Sequence, residues 1–401
     1  MPDWDVVVVG AGPAGAVSAA QFARRGFRVA LLDRAHFPRH KACAEYMSPG
    51  VRDVAQRLGM WHAIQGAGPC SVPGMEVVSP SGKVLRLDYT VDGRRQYAAT
   101  LPRHVLDQQF VAQAEAWGVT MMSGVTAHEP VLDGSAVTGV RASQSGASIT
   151  VKAKLTIVAD GNRSTVARAL DFAVPARWPV RMGLVAHYEG IAPLRDGFGQ
   201  MHVGTEGYCG VAPLPEGRLN VAMVVKADAV RSSGLRASDF FERWISQAPA
   251  LRTLLAACTR ISPVRGVGPI GSRAGRVSTD GAMLVGDAAG FFDPFTGEGI
   301  YRALRGAELV SEVGRDALVR DDVSAARLAR YDVLRSHAFT RKLAVTSLVQ
   351  LFVQFPILME YALPRLTARP QELQALGSVL GDCRDARAFL NFPTIWSALR
   401  P

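Results

Sequence analysis

Val6-Val7-Val8-Val9-Gly10-Ala11-Gly12-Pro13-Ala14-Gly15 carries four β-branched residues straight into three spaced glycines. A run apolar at every position suits a parallel strand buried on both faces. The spacing Gly10-x-Gly12-x-x-Gly15 then predicts a tight turn at Gly10, close backbone approach to a diphosphate at Gly12, and close helix–strand packing at Gly15. Pro13 and Ala14 fall at the start of the helix, whose free N–H groups and dipole favour an anion. The helix is expected over Ala16 to Arg25, stopped by Gly26, and a second buried strand over Arg28 to Asp33. Asp33 lies eighteen residues beyond Gly15, at a strand end where a carboxylate accepts hydrogen bonds from ribose hydroxyls. This is one βαβ mononucleotide-binding half. The fingerprint alone leaves NAD and FAD open.

Outward from that unit the pattern changes. Met75 to Tyr89, with Ser-Pro-Ser-Gly at its middle, reads as an antiparallel hairpin. Leu106 to Trp117 reads as a helix closed by Gly118. Short strands follow, with a turn at Asp133-Gly134, up to Leu155–Ala159. Met182 to Tyr188, Gly199 to Val203, Tyr208 to Ala212 and Leu219 to Val225 alternate like strands of a second, antiparallel sheet, a roof over a substrate. Ala282 to Asp287 restores the buried-strand signature, with a helix from about Glu298. The last seventy residues are expected to be helical, with breaks at Pro356, Pro364 and Pro393.

The chain has 401 residues, 48% of them hydrophobic and 20% charged, which excludes a disordered or low-complexity protein. The net charge of +10 is nearly all arginine and is spread along the sequence. With no basic run or tail, it is read as a solvated surface that also helps bind anionic ligands, not as a nucleic-acid interface. Five dispersed cysteines without a CxxC pair give neither a disulfide framework nor a zinc site. No metal-ligand cluster is visible. The acidic start, Asp3 and Asp5, does not resemble a signal peptide. Leu343 to Leu363 is interrupted by Gln350, Gln354, Pro356 and Glu360, short of the ~20 apolar residues a spanning helix needs. The expectation is a cytoplasmic protein, with contact to a membrane surface left open.

Two further segments decide the cofactor. Val158-Ala159-Asp160-Gly161-Asn162-Arg163-Ser164 resembles a segment of the para-hydroxybenzoate hydroxylase-like flavoproteins. Gly286-Asp287-Ala288-Ala289-Gly290, with Pro294, Gly297, Gly299 and Ile300, resembles their second FAD motif. The resemblance covers about residues 5–335 and implies FAD. Asp287 would accept from a ribityl hydroxyl, and the helix start near Gly297 to Ile300 would face the flavin N1/C2 edge. Arg103-x-x-Leu106-Asp107 matches a pattern that in these proteins begins a helix beside the cofactor. Phe37 to Pro49, containing Arg39, Lys41, Ala42, Cys43 and Glu45, is similar to a stretch of the geranylgeranyl reductase family that lies beside the flavin. Gly207 to Leu214 falls where that family carries Tyr-x-Trp-x-Phe-Pro. Here Ala44 replaces a glycine, Gly210 the tryptophan and Ala212 the phenylalanine. Flavin-dependent halogenases carry two tryptophans at this position, and neither is present.

The reading is an α/β flavoprotein. Residues 1–72, 100–175 and 276–335 form a discontinuous Rossmann-like FAD-binding domain, 73–99 and 176–275 an inserted, mainly antiparallel β-sheet substrate domain, and 336–401 a helical C-terminal region. Gly10, Gly12, Pro13, Ala14, Gly15, Asp33, Arg34, Lys41, Ala42, Cys43, Arg103, Asp160, Gly161, Gly286, Asp287, Pro294, Gly297, Gly299 and Ile300 are assigned to FAD. Tyr208, Gly210, Ala212 and Pro213 are assigned to a hydrophobic substrate, in a pocket widened by the two missing rings unless Met201 or Met223 refills it. Cys43, Glu45 and Tyr208 are the catalytic candidates. His187 and His202 are read as packed or solvated. Monooxygenation of an aromatic or polyketide-type molecule through a C4a-hydroperoxyflavin is preferred over C=C reduction of an isoprenoid, with halogenation a minor alternative. A flavoprotein acting only as an accessory binder is a third class. NAD(P)H or a partner protein would supply electrons.

Overall fold

The computed structural model describes residues 2–175, 180–190, 194–291 and 293–390. The valine run is the middle of a parallel sheet. Trp4–Val9 lies between Val29–Asp33 and Ala147–Val158, with Val6 opposite both Val29 and Leu155. Thr120–Ser123 extends the sheet beyond Val29–Asp33, and Ala282–Leu284 pairs parallel with the other side of Ala147–Val158. Strand order therefore departs in opposite directions from the first strand, which opens a crevice at the strands' carboxyl ends. The helix Pro13–Ala23 is buried along its whole length. It begins three residues earlier than its apolar pattern indicated, because Pro13 is preset for a first helical turn. Ala147–Val158 is longer than expected. Its first half pairs antiparallel with Ala136–Gln144, and that strand pairs with Val125–Asp133 through the turn at Gly134.

The second sheet runs Cys258–Arg260, Arg181–Gly190, Arg218–Lys226, Gly207–Leu214, Gly199–Val203, Gly74–Val78, Val84–Asp88. Neighbours are antiparallel except Gly199–Val203 beside Gly74–Val78. Its outer face packs Cys209, Val211, Val221 and Met223 against Phe240, Phe241, Trp244 and Leu251 from helices Ala237–Gln247 and Pro249–Leu255. Its inner face packs Tyr208, Val203, Val224 and Val77 against Phe295 and the C-terminal helices.

Those helices correct two expectations. Ala325–Gln354 is one continuous helix, so a boundary at residue 336 falls inside it. Pro356 starts a new helix, but Pro364 lies within Pro356–Thr367 without ending it. Proline removes the N–H that would bond the carbonyl four residues back. Here that carbonyl, on Glu360, accepts from Lys83 Nζ at 3.1 Å instead. Pro393 lies outside the described residues. No single described helix is long and apolar enough to cross a membrane.

Candidate active site

Four loops converge on the amino end of helix Pro13–Ala23. A Cβ at Gly10 would lie 2.6 Å from the Ala159 carbonyl oxygen, which puts the first motif against the second. A Cβ at Gly286 would lie 2.7 Å from Ala14 Cβ, which puts the third motif against the first. Gly15 has no room at all, with Gly10 O 1.7 Å from its would-be Cβ. Gly12 differs. Its Cβ direction meets only two guanidinium ends, Arg39 at 3.6 Å and Arg103 at 4.0 Å. Neither the Pro13–Ala23 helix nor the Gly299–Val319 helix has a side-chain cap, and nothing lies within 4 Å of a Cβ at Gly299. Two uncapped helix starts, the first of them beside a cationic opening, are suited to an anionic, acceptor-rich ligand.

The charges around this slot are held in a network. Asp33 accepts from Ala11 N at 2.8 Å and from Ala35 N at 2.9 Å, so it also braces the glycine turn. Arg39 reaches Asp107 at 3.3 Å and Asp33 at 3.9 Å. Arg103 donates to both oxygens of Asp107 at 2.8 Å, a bidentate pair that raises its pKa against the cost of burial. Lys41 is solvent-accessible, although protein atoms surround its ammonium, which stands 3.9 Å from a Cβ at Gly161. That enclosure lowers its pKa, Arg103 and Arg39 add to the effect, and Asp287 and Asp107 oppose it. Burial raises the Asp160 pKa, against hydrogen bonds from Ser164 and Thr165. Asp160 Oδ1 and Thr296 Oγ1 are buried without a partner among the described residues. Pro294 closes a turn by accepting from Gly297 N, and Ile300 is buried in the helix that follows. Arg34 is exposed and makes no contact with this cluster, so its assignment is not supported by the geometry. Arg39, which was not assigned to the cofactor, stands at this opening, within reach of Asp107, Asp33 and the Cβ direction of Gly12.

Glu45 joins the slot to the roof sheet. Its φ is +58°, a left-handed conformation that is costly outside glycine. The bonds around it hold it there. Its carbonyl accepts from Leu101 N at 3.1 Å, and its Oε1 accepts from Arg103 N at 2.9 Å. Oε2 accepts from His187 Nε2 at 2.8 Å and from Asn220 Nδ2 at 3.0 Å. Asn220 Nδ2 also donates to the Cys43 carbonyl at 2.9 Å. Glu45 is therefore buried without a guanidinium partner among the described residues. His187 keeps 18% exposure, and its Nδ1 makes no hydrogen bond among the described residues. Cys43 adjoins this cluster, with its thiol near Arg103 and Glu45 N.

Of the proposed substrate residues, Tyr208, Gly210 and Ala212 lie on the same inner face, in rows set by strand register, whereas Pro213 pairs with Leu219 on the outer face and is turned away from the cleft. His187, Asn220 and Ala212 form one row. Val185, Ala222, Gly210 and Met201 form the next. A Cβ at Gly210 would meet Met201 Cε at 3.3 Å, so Met201 fills the space that a missing ring was expected to leave. Tyr208 is not an open catalytic group. It is buried and donates to Asp293 Oδ1 at 2.6 Å, and Asp293 also takes hydrogen bonds from Arg181 and Gln350. Burial raises the pKa of both Tyr208 and Asp293. Tyr208 thus braces the loop before Pro294. The Pro213 carbonyl accepts from Thr100 Oγ1.

This cleft and its loops are those of a flavoprotein, and the family described as FAD binding domain matches residues 3–338. The chain belongs to that family and, within it, to the geranylgeranyl reductase group. It is an FAD-dependent oxidoreductase. A digeranylgeranylglycerophospholipid reductase of Methanopyrus kandleri is 32% identical over 337 residues, covering 82% of this chain and 85% of its own. The conditioned medium factor receptor 1 of Dictyostelium discoideum is 27% identical over 383 residues, 90% of this chain and 72% of its own. Among solved structures, the myxobacterial chondrochloren halogenase aligns over 90% of this chain and 83% of its own, with TM-score 0.78 and 24% identity, a likeness of fold. FAD fits the cleft on its own evidence. Gly12, Arg39, Lys41 and Arg103 would hold the diphosphate, and the uncapped start at Gly299 would meet the flavin.

Proposed function

We propose that the protein reduces a C=C bond in a hydrophobic, isoprenoid-type molecule, with the Glu45–His187 dyad as its proton source. That dyad carries the reading. It lies one hydrogen bond from the Arg103 backbone and, through Asn220, two from the Cys43 carbonyl, at the rim of the FAD cleft. Two relatives at 30% and 32% identity are named as digeranylgeranylglycerophospholipid reductases, which supports the same reaction class.

Bound FAD, once reduced, supplies a hydride equivalent to one alkene carbon. The chain supplies the rest. With Nε2–H of His187 donating to Glu45, the ring's other nitrogen, Nδ1, is left to carry the transferable proton. Protonated at Nδ1, the imidazolium gives that proton to the second carbon, and Glu45 balances its charge while it is held. The row Val185, Ala222, Gly210 and Met201 offers an apolar wall for the chain of the substrate. The electron donor is a nicotinamide dinucleotide or a partner protein, and the enzyme works in the cytoplasm on a small molecule.

The rival is monooxygenation, favoured by the same apolar row, which would keep water from an oxygen-activating flavin. Product mass separates them. A digeranylgeranylglycerophospholipid incubated anaerobically with reduced holoenzyme should gain two hydrogens per bond reduced. A product that forms only in oxygen and gains one oxygen atom overturns the proposal.

A further inference from the structure

We infer that Glu298 and its counter-cation Lys342 set the charge at the flavin end of helix Gly299–Val319, and with it the reduction potential of bound FAD. Lys342 lies beyond residue 338, where the FAD binding domain ends, so the C-terminal region acts on the cofactor as well as packing on the roof sheet. Glu298 immediately precedes Gly299, is buried, and does not cap the helix with its side chain. Its carboxylate is held from elsewhere. Oε1 accepts from Arg302 Nη1 at 3.1 Å. Oε2 accepts from Thr346 Oγ1 at 3.4 Å and stands 3.8 Å from Lys342 Nζ.

Lys342 has little freedom. Its ammonium donates to Asp382 Oδ1 at 2.8 Å, to the Leu380 carbonyl at 3.0 Å and to the Val379 carbonyl, the last two at the carboxyl end of helix Pro370–Leu380. Asp382 Oδ2 accepts from Ser48 Oγ at 2.6 Å, and the Gly381 carbonyl accepts from Gly50 N at 2.9 Å, so the segment that holds the lysine is itself pinned. Burial raises the Asp382 pKa, Lys342 opposes this, and Glu298 adds to it. Two buried carboxylates thus lean on one lysine. Arg302, the second cation at Glu298, lies 5.3 Å over the Phe339 ring. Other charges nearby are paired, Arg305 with Glu308 and Asp293 with Arg181.

A helix start carries about half a positive charge. At Gly299 it favours the negative charge that flavin gains on reduction. A carboxylate one residue before that start works against it, and a cation beside the carboxylate restores it. Away from bulk water, such charges act through an effective dielectric well below that of water. The signs follow. Removing the Glu298 charge should favour reduced flavin, and removing the Lys342 charge should disfavour it. The effect depends on bound FAD and not on the substrate, so it stands apart from the C=C reaction.

The test is the two-electron midpoint potential of the full-length, FAD-loaded protein, read by anaerobic reductive titration against a dye of known potential. Glu298→Gln should raise the ratio of reduced to oxidised flavin about tenfold at a fixed potential, an upward shift of about 30 mV. Lys342→Met should lower that ratio by a similar factor, and the double variant Glu298→Gln, Lys342→Met should fall between the two. Glu298→Gln leaves Lys342 its bonds to Asp382 and to the helix end, so it should fold, and it decides alone if Lys342→Met does not. A merely structural role would lower FAD retention or melting temperature in both variants without opposite shifts in potential. An unchanged potential in Glu298→Gln at full FAD occupancy, or shifts of the same sign in the two single variants, overturns the inference.

Discussion

The cofactor cleft and the roof sheet present polar groups in different ways. In the cleft the backbone does the binding: Gly10, Gly12, Gly15, Gly161, Gly286 and Gly297 bring loops together, and Arg39, Lys41 and Arg103 line an opening with Asp33 and Asp107 to hold them. On the roof, side chains satisfy one another. Glu45, His187 and Asn220 come from three distant segments and leave one ring nitrogen, His187 Nδ1, without a hydrogen bond among the described residues. The first arrangement tolerates little change in the chain near a glycine, and the second tolerates little change in a side chain.

Valine substitutions at two glycines test the first half of that contrast and carry the largest effects. Gly15→Val should prevent folding, because backbone already lies 1.7 Å from the new Cβ. Gly12→Val should fold and purify colourless, because its Cβ meets only movable arginine ends while its side chain fills the diphosphate space. Flavin absorbance and circular dichroism on both variants check this. A yellow Gly12→Val protein would break the assignment of the first motif.

Asp287→Ala should come next, raising the FAD dissociation constant roughly tenfold to a hundredfold while the melting temperature of the apoprotein holds. A hydrogen bond to a charged acceptor is worth about 1.5–3 kcal/mol. Titration of apoprotein with FAD measures it, and an unchanged constant would remove Gly286-Asp287 from the site.

On the roof, His202 sharpens the comparison through pH. Burial lowers its pKa to about 4, while its Nε2 bonds Gln200 Oε1 at 2.9 Å. The folded pKa lies below the unfolded value, so the unfolded chain binds more protons between the two. Stability from keeping His202 neutral is therefore complete above about pH 6.5 and is lost as pH falls toward 4, by up to the order of 3 kcal/mol. His202→Gln should flatten urea-unfolding stability over that window, and an unchanged slope would place the acid sensitivity elsewhere. Gly210→Ala should do least, a shift of a few degrees in melting temperature with turnover kept, since Met201 Cε can move from 3.3 Å. Loss of turnover in that variant would mean that Met201 does not yield and that one added methyl on this wall closes the substrate's path.

The contrast also explains what could be read in advance. Gly10-x-Gly12-x-x-Gly15 and the Gly286 motif are local, because turn geometry is imposed by adjacent residues. Their strand–turn–helix setting was legible, as were the four roof strands between 181 and 226. His187 was read as packed or solvated because nothing local links it to Glu45, 142 residues away. Only strand register puts it beside Asn220 and opposite Cys43. Asn220 gave no signal at all. Tyr208 was legible as a special position, but its partner Asp293 comes from the flavin loop, which turns it from a catalytic candidate into a brace. Arg39 lay within a quoted motif but was not assigned, because its ion pairs to Asp107 and Asp33 depend on tertiary packing rather than on neighbouring residues.

In the proposed reaction His187, held by Glu45, supplies the proton for reduction across a C=C bond. Anaerobic stopped-flow reoxidation of reduced holoenzyme by a digeranylgeranylglycerophospholipid tests it directly, comparing wild type with His187→Gln at equal FAD content. The account predicts prompt reoxidation by the wild type and a loss of about a hundredfold or more in the variant, in the range expected for removing a general acid. Equal rates in the two proteins, with the flavin spectrum intact in both, would contradict it.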